Sequence, residues 1–289
     1  MGSDELRIPV SPEESTKWVA TAHKARISQY MLRGMLDPAP SSQLASDDLL
    51  YRWEKCSAWC RGYLMAACDH LLLWANVVAP QEFPEGLIVD NHPRPYYALA
   101  RAGLESACQA VWILDQPESS ERGSRHLRLV YHDLRNMALS LEAVDDERSE
   151  IARDRMRLLE ERVSGDLDFN SIKKGEPKYL GLVRECSSAV GLSSGELEAI
   201  WREASGAAHG KNWFQHVSSS VEVEEEFESG YFRARHQPDP AGVTRVMEAA
   251  SGMTLHGTCR FAERSGFDFK EQYEAAFSRL ISETPLKKT

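Results

Sequence analysis

Long apolar runs are missing from this chain. The longest, residues 64–79, is interrupted by Asp69, His70 and Asn76, and it falls short of the roughly 20 apolar residues that a bilayer span requires. A membrane partner is therefore not expected. The opening Met-Gly-Ser-Asp-Glu lacks the basic-then-apolar pattern of a secretory leader. Leu6 stands where myristoylation wants Ser or Thr, so the expectation is a cytoplasmic protein. A surplus of positive charge is also absent. With 34 Lys and Arg against 44 Asp and Glu, the formal net charge is −10, which argues against a general nucleic-acid coat and leaves room only for a local basic site.

The familiar metal and cofactor signatures are missing too. The six cysteines form no Cys-x-x-Cys, and Cys56 and Cys60 have helical i,i+4 spacing. Their apolar helical surroundings predict buried, reduced thiols. There is no His-Glu-x-x-His, no Glu-x-x-His, no P-loop and no Gly-x-Gly-x-x-Gly. His209 and His216 are separated by Gly210 and a helix end, which gives a metal no defined geometry. No metal and no cofactor are expected. Gly191-Leu-Ser193-Ser-Gly195 matches the nucleophile-elbow pattern, but that motif needs a preceding strand. Here Ser193-x-x-Glu196 reads as the capping box of a helix.

What the 289 residues do contain is helical periodicity. Ser11-Pro12-Glu13-Glu14 combines a capping box with Pro at the first helical position, predicting a helix to about Gly34. After a Pro/Ser-rich turn at 37–42, Ser46 is expected to cap a long helix. Its stripe is Leu50, Trp53, Ser57, Cys60, Leu64, Ala67, Leu71, Trp74 and Val78, and Pro80 ends it. A loop with four prolines covers 80–95. Further helices are expected at 95–115, from Pro117 to about 144, at 146–163, near 178–190 and at 195–209, with a connector over 164–177. Strand-like runs flank Glu228-Ser-Gly230, predicting a hairpin near 218–236. Two helices, about 240–264 and 269–283, follow. The expected fold is all-α: an up-and-down bundle of about eight or nine helices with one small β-hairpin. It forms a single domain over 1–289, with its core bundle at about 11–215.

Charges are sparse in two of these helices. Arg101 and Glu105 are the only ones between Pro95 and Leu114, and Asp69 is the only one over 62–79. Burying a lone ion is costly, so these residues are expected to converge with Arg202 and His209 in one polar cluster. Arg202 and His209 are seven residues apart and share a helix face, with Ser205 between them and small residues at 206–208. A guanidinium beside an imidazole is suited to holding a phosphate and moving a proton next to it. The same cluster reads equally as an ion network that fixes helix register. Trp213 either walls a pocket beside His209 or simply packs.

The Arg/His spacing is not diagnostic, because Arg125 and His132 repeat it. Arg125, Arg128, His132 and Arg135 share one face of their helix. That face reads either as a solvated surface paired with Glu147, Glu150 and Asp154 or as an anion-binding strip for RNA. The glutamates of 222–228 form an acidic surface suited to a basic partner.

Residues Trp201-Arg202-x-x-Ser205-x-x-Ala208-His209-Gly210, together with Ala100-Arg101-Ala-Gly-Leu-Glu105-Ser-Ala, resemble the HEPN superfamily of helical proteins, whose motif is Arg followed after four to six residues by His. They are most similar to uncharacterised bacterial members of actinobacterial type. The resemblance implies a helical bundle that forms a homodimer through the motif helix and cleaves RNA without metal, as in defence or toxin–antitoxin systems. Arg202 would hold the scissile phosphate, and His209 would serve as general acid or base for attack by the ribose 2′-hydroxyl. Where many such nucleases carry Asn after the motif Arg, this chain has Glu203, which is expected to weaken anion binding. Two alternatives stand beside the nuclease: a non-catalytic module for dimerisation or a protein partner, and a small-ligand binder built on Asp69, Arg101 and Glu105.

Overall fold

The computed structural model describes residues 10–81, 91–163 and 167–284. The N-terminal pentapeptide, most of the proline-rich loop and the start of the 164–177 connector lie outside the described residues. Twelve α-helices and one two-stranded sheet are present among the described residues: α1 (Pro12–Gly34), α2 (Gln43–Leu50), α3 (Cys56–Val78), α4 (Pro93–Leu114), α5 (Ser119–Glu142), α6 (Arg148–Arg162), α7 (Phe169–Ile172), α8 (Tyr179–Glu185), α9 (Ser194–Ala208), α10 (Trp213–Ser218), β1 (Ser219–Glu228), β2 (Tyr231–Pro238), α11 (Pro240–Arg264) and α12 (Phe269–Glu283). A 3-10 turn, Ser187–Val190, links α8 to α9. The molecule is an all-α bundle with a small hairpin, as the periodicity predicts. The expected eight or nine helices become twelve because short pieces such as α2, α7 and α10 carry too few turns to show a period.

Helix α4 is the centre of the bundle and packs against α3, α11, α9, α8 and α5. Its sequence explains the position, since Tyr97, Ala100, Leu104, Ala107, Cys108, Val111 and Ile113 bury nearly every side of it, the pattern of a fully enclosed helix. The stripe of α3 from Ser57 through Cys60, Leu64, Ala67, Leu71 and Trp74 to Val78 is buried against α4 and α1, whereas Trp53 and Leu50 are not part of it. The expected long helix is interrupted at residues 51–55. Ser42, not Ser46, caps α2, its hydroxyl accepting the Ala45 N–H. The Asp48 carboxylate then accepts the Ser57 N–H at 2.8 Å and its hydroxyl at 2.6 Å, satisfying the first turn of α3. Gly257 on α11 lets that helix come close, because a Cβ there would stand 2.7 Å from Leu64 and 3.0 Å from Val111.

A satellite cluster of Tyr51, Leu127, Val130, Leu134, Leu159, Leu167 and Ile172 joins α5, α6 and α7. The N-terminal end of α5 is fixed by a buried two-point ion pair. Arg122 donates to Asp47 through Nε at 2.6 Å and Nη2 at 2.9 Å, and its Nη1 reaches the carbonyls of Gln116 and Pro117. Every nitrogen of the guanidinium and both carboxylate oxygens have a partner, the arrangement that a low-dielectric interior tolerates.

In the hairpin, Val221 faces His236 and Val223 faces Ala234. By the two-residue period Phe232 shares their side. Val221, Val223 and Phe232 are all exposed, so one face of this ribbon is apolar and uncovered within the chain. Among the described residues no helix is long and apolar enough to cross a membrane.

Candidate functional site

The capping box of α9 is complete. Ser193 Oγ accepts the Glu196 N–H, and the Glu196 carboxylate accepts the Ser193 N–H at 2.8 Å. From that start Leu197, Ile200, Ala204 and Ala207 are buried, and α9 packs along α4. The C-terminal end is equally defined. Gly210 adopts φ +64°, the Lys211 N–H returns to the Gly206 carbonyl at 2.9 Å, and the Gly210 N–H returns to the Ala207 carbonyl at 3.2 Å. These are the two bonds of a Schellman motif, so Gly210 is the helix terminator and His209 is the capping residue. Arg94 of α4 adds a guanidinium to the same end, donating to the carbonyls of Ala207 at 3.3 Å and Lys211 at 3.4 Å, where the helix dipole favours a cation.

His209 is exposed and its partner is Arg101, not Arg202. Arg101 Nη1 lies 2.9 Å from His209 Nε2. A guanidinium can only donate, so this contact uses a neutral imidazole with its proton on Nδ1. Arg101 is held from behind, since its Nε donates to Glu105 Oε1 at 2.7 Å. Trp201 Nε1 donates to the same oxygen at 2.8 Å, and the guanidinium carbon sits 5.5 Å from the Trp201 ring. The i,i+4 pair that stood out in the sequence is thus a real, largely buried ion pair, with side-chain exposures of 20% and 13%. It presents its free edge to the end of α9.

The expected five-membered cluster does not assemble. Arg202 is 54% exposed and turns toward the start of α9, where Nε donates to Glu198 at 2.7 Å. Glu198 also takes Arg184 at 2.6 Å, and the two guanidiniums, Arg184 first, hold its carboxyl below the usual range. Asp69 is on the exposed side of α3, in a cleft of about 510 Å³ shared with Arg26, Arg33 and Arg279. Its apolar neighbours Leu73 and Val77 are exposed as well. A charge alone in an apolar stretch therefore did not signify burial. Ser205 is half-buried, and its carbonyl accepts the His209 N–H at 3.0 Å to close the last turn. Trp213, 44% exposed, lies across Gly206, where a Cβ would stand 2.5 Å from the indole. The small residues of α9 make room for that ring.

Glu203 does not burden a phosphate-binding arginine. One residue past Arg202, it rotates toward α4 and α11, accepts the Tyr97 hydroxyl at 2.8 Å, and meets Arg245 at 3.2 Å. Burial, then the Glu203 carboxylate, pushes the Tyr97 phenol up. Gly242 makes this possible, since a Cβ there would stand 2.3 Å from the Tyr97 oxygen. Glu203 and Arg245 also border a groove of about 630 Å³ with Lys24, Val190, Ile200 and Glu248. Sequence reasoning missed Arg94, Tyr97 and Arg245, whose roles depend on which helices meet and carry no local pattern.

The basic strip of α5 is largely used up by the protein. Arg125 stacks on Trp112 at 4.6 Å and donates to Glu121 at 2.8 Å and to the Trp112 carbonyl at 3.0 Å. Arg128 donates to the Lys174 and Gly175 carbonyls at 2.6 and 3.0 Å. Arg135 is exposed, whereas His132 is buried. Glu150 and Asp154, the expected acidic partners, pair instead with Arg153 and Arg157.

No family model, curated protein or solved structure matches the chain.

Proposed function

We propose that this chain is a HEPN-like, metal-independent endoribonuclease, working as a cytoplasmic homodimer of defence or toxin–antitoxin type, in which Arg101 and His209 form the working pair. The observation that carries the proposal is the exposed Arg101–His209 contact, braced by Glu105 and Trp201. In the resting arrangement an Arg101 N–H occupies the His209 Nε2 lone pair. An RNA phosphate is a stronger acceptor than imidazole for a guanidinium, so its arrival draws Nη1 off His209 and frees Nε2. That nitrogen then takes the proton of the ribose 2′-hydroxyl as the 2′ oxygen attacks phosphorus. The bond to the 5′ oxygen breaks and the leaving oxygen is protonated from solvent. The products are a 2′,3′-cyclic phosphate and a 5′-hydroxyl. Glu105 keeps Arg101 oriented through Nε while its Nη atoms serve the phosphate.

The experiment is cleavage of structured and unstructured RNA by the full chain in chelator, with His209→Ala as control at matched melting temperature. Cyclic phosphate ends that disappear in the variant are expected. A folded wild type that cleaves nothing overturns the proposal. A second reading, a non-catalytic module for a protein partner, draws on the exposed apolar face of Val221, Val223 and Phe232. The third, a small-ligand site built on Asp69, Arg101 and Glu105, has less support because Asp69 lies elsewhere.

A further inference from the structure

The histidine of the second Arg/His pair has an unusual setting. His132 is 4% exposed, and neither ring nitrogen has a hydrogen-bond partner. Buried polar side chains nearly always have one, and an orphan calls for a functional role or an unseen partner. His132 lines a half-open cavity of about 250 Å³ bordered by α3, α4, α5, the segment before α8, and α8 itself. Tyr63, Gln109, Asn136 and Tyr179 line the same space. At its rim Glu176 accepts Asn136 Nδ2 at 3.0 Å and faces Lys178 at 3.3 Å, and Asp133 adds a second carboxyl.

Size, charge and donor chemistry together narrow the occupant. The volume lies below the usual range of drug-sized sites, about 300–1,000 Å³, so the occupant is small. The lining carries two carboxyls, Asp133 and Glu176, against the Lys178 ammonium, and Arg128 and Arg135 also act on His132, so the charges around the ring nearly offset one another and favour no ion of either sign. Burial pushes the His132 imidazole down and the Tyr63 and Tyr179 phenols up, which keeps these three groups neutral. A neutral imidazole offers one donor and one acceptor, and a carboxamide such as Gln109 offers both from one plane. That is the complement of a heterocycle edge, the way amides read bases, and the two phenol rings supply aromatic surface beside it.

We propose that this cavity is a binding site for a small, uncharged nitrogen heterocycle of purine-base size, recognised by His132 and Gln109. The site shares no residue with the Arg101–His209 pair, although Tyr179 lies within electrostatic reach of Arg101 and Glu105, and it does not depend on the nuclease proposal.

The test is calorimetric titration and thermal shift of the full chain with adenine and cytosine, beside AMP and glucose. A free base should bind and raise the melting temperature by mass action. Gln109→Leu, which keeps shape and removes the amide, should weaken it about tenfold or more, and His132→Phe should abolish it. If His132→Phe fails to fold, Gln109→Leu decides. The proposal is overturned if neither base binds at millimolar concentration, if Gln109→Leu binds as well as wild type, or if AMP or glucose binds more tightly than the bases.

Discussion

Two stretches of the molecule share one spacing and come to opposite ends. Arg202 and His209 lie on α9, and Arg125 and His132 lie on α5, each pair seven residues apart, and in neither do the two side chains meet. On α9 the histidine closes the helix in solvent and is taken by an arginine from another helix. On α5 the histidine is buried and unpartnered, while its arginine stacks on Trp112. The difference lies in what each helix is packed against. Helix α9 ends at the edge of the bundle, so its last residue can be reached by Arg101 across the α4 seam. The face of α5 expected to be solvated is covered in part by residues 174–179, which take Arg128 through backbone carbonyls and lie beside His132. A shared face along one helix is local geometry, and pairing across helices decides the chemistry.

The largest expected effect on this contrast is catalytic. His209→Ala should cut RNA cleavage by about 10²–10⁴-fold, the usual worth of a general acid–base group. Because the imidazole is exposed, its melting temperature should stay close to wild type. Denaturant titration beside the cleavage assay checks both, and an equal loss of stability would make His209 a structural cap.

Next comes the anchor of the α5 side. Asp47→Ala leaves the Arg122 charge buried without its partner, and a loss of about 3–5 kcal/mol is expected. The same measurement on the exposed Arg184–Glu198 pair should find less than about 1 kcal/mol.

A smaller effect is the pH dependence carried by the buried histidine of α5. Burial lowers the folded-state pKa of His132 from the ordinary 6.5, and His126 and His23 shift the same way. Between the lowered value and 6.5 the unfolded chain binds more protons, so protonation favours unfolding. Stability from these groups is whole above about pH 6.5 and is lost as pH falls below it, by up to about 1.4 kcal/mol per pH unit for each histidine. His132→Gln should flatten this slope, as urea unfolding between pH 5 and pH 7.5 would show. An unchanged slope in His132→Gln would remove His132 from the account. The smallest change is expected from Arg202→Ala, within about 0.5 kcal/mol, because its ion pair with Glu198 is solvent-screened.

The sequence carried much of this architecture where local chemistry sets it. The Ser11 and Ser193 caps, the hairpin around Gly230 and the boundaries of α1, α11 and α12 follow from residues that act on their own backbone. Arg101 and Glu105 were legible as an i,i+4 pair on an otherwise apolar helix. The split between α2 and α3 was hidden because Leu50 and Trp53 continue the stripe in phase while Asp48 does the capping. Asp69 was misread because α3 exposes apolar residues around it. Burial of His132 was hidden by the charged neighbours on its face, and the segment that covers it has no periodic signal.

The most direct test of the central claim compares Arg101→Ala with Arg202→Ala in metal-free RNA cleavage, each checked for folding. The account predicts that Arg101→Ala loses activity about as severely as His209→Ala and that Arg202→Ala stays within about threefold of wild type. Loss of activity in Arg202→Ala with Arg101→Ala intact would contradict it and return the site to the α9 pair.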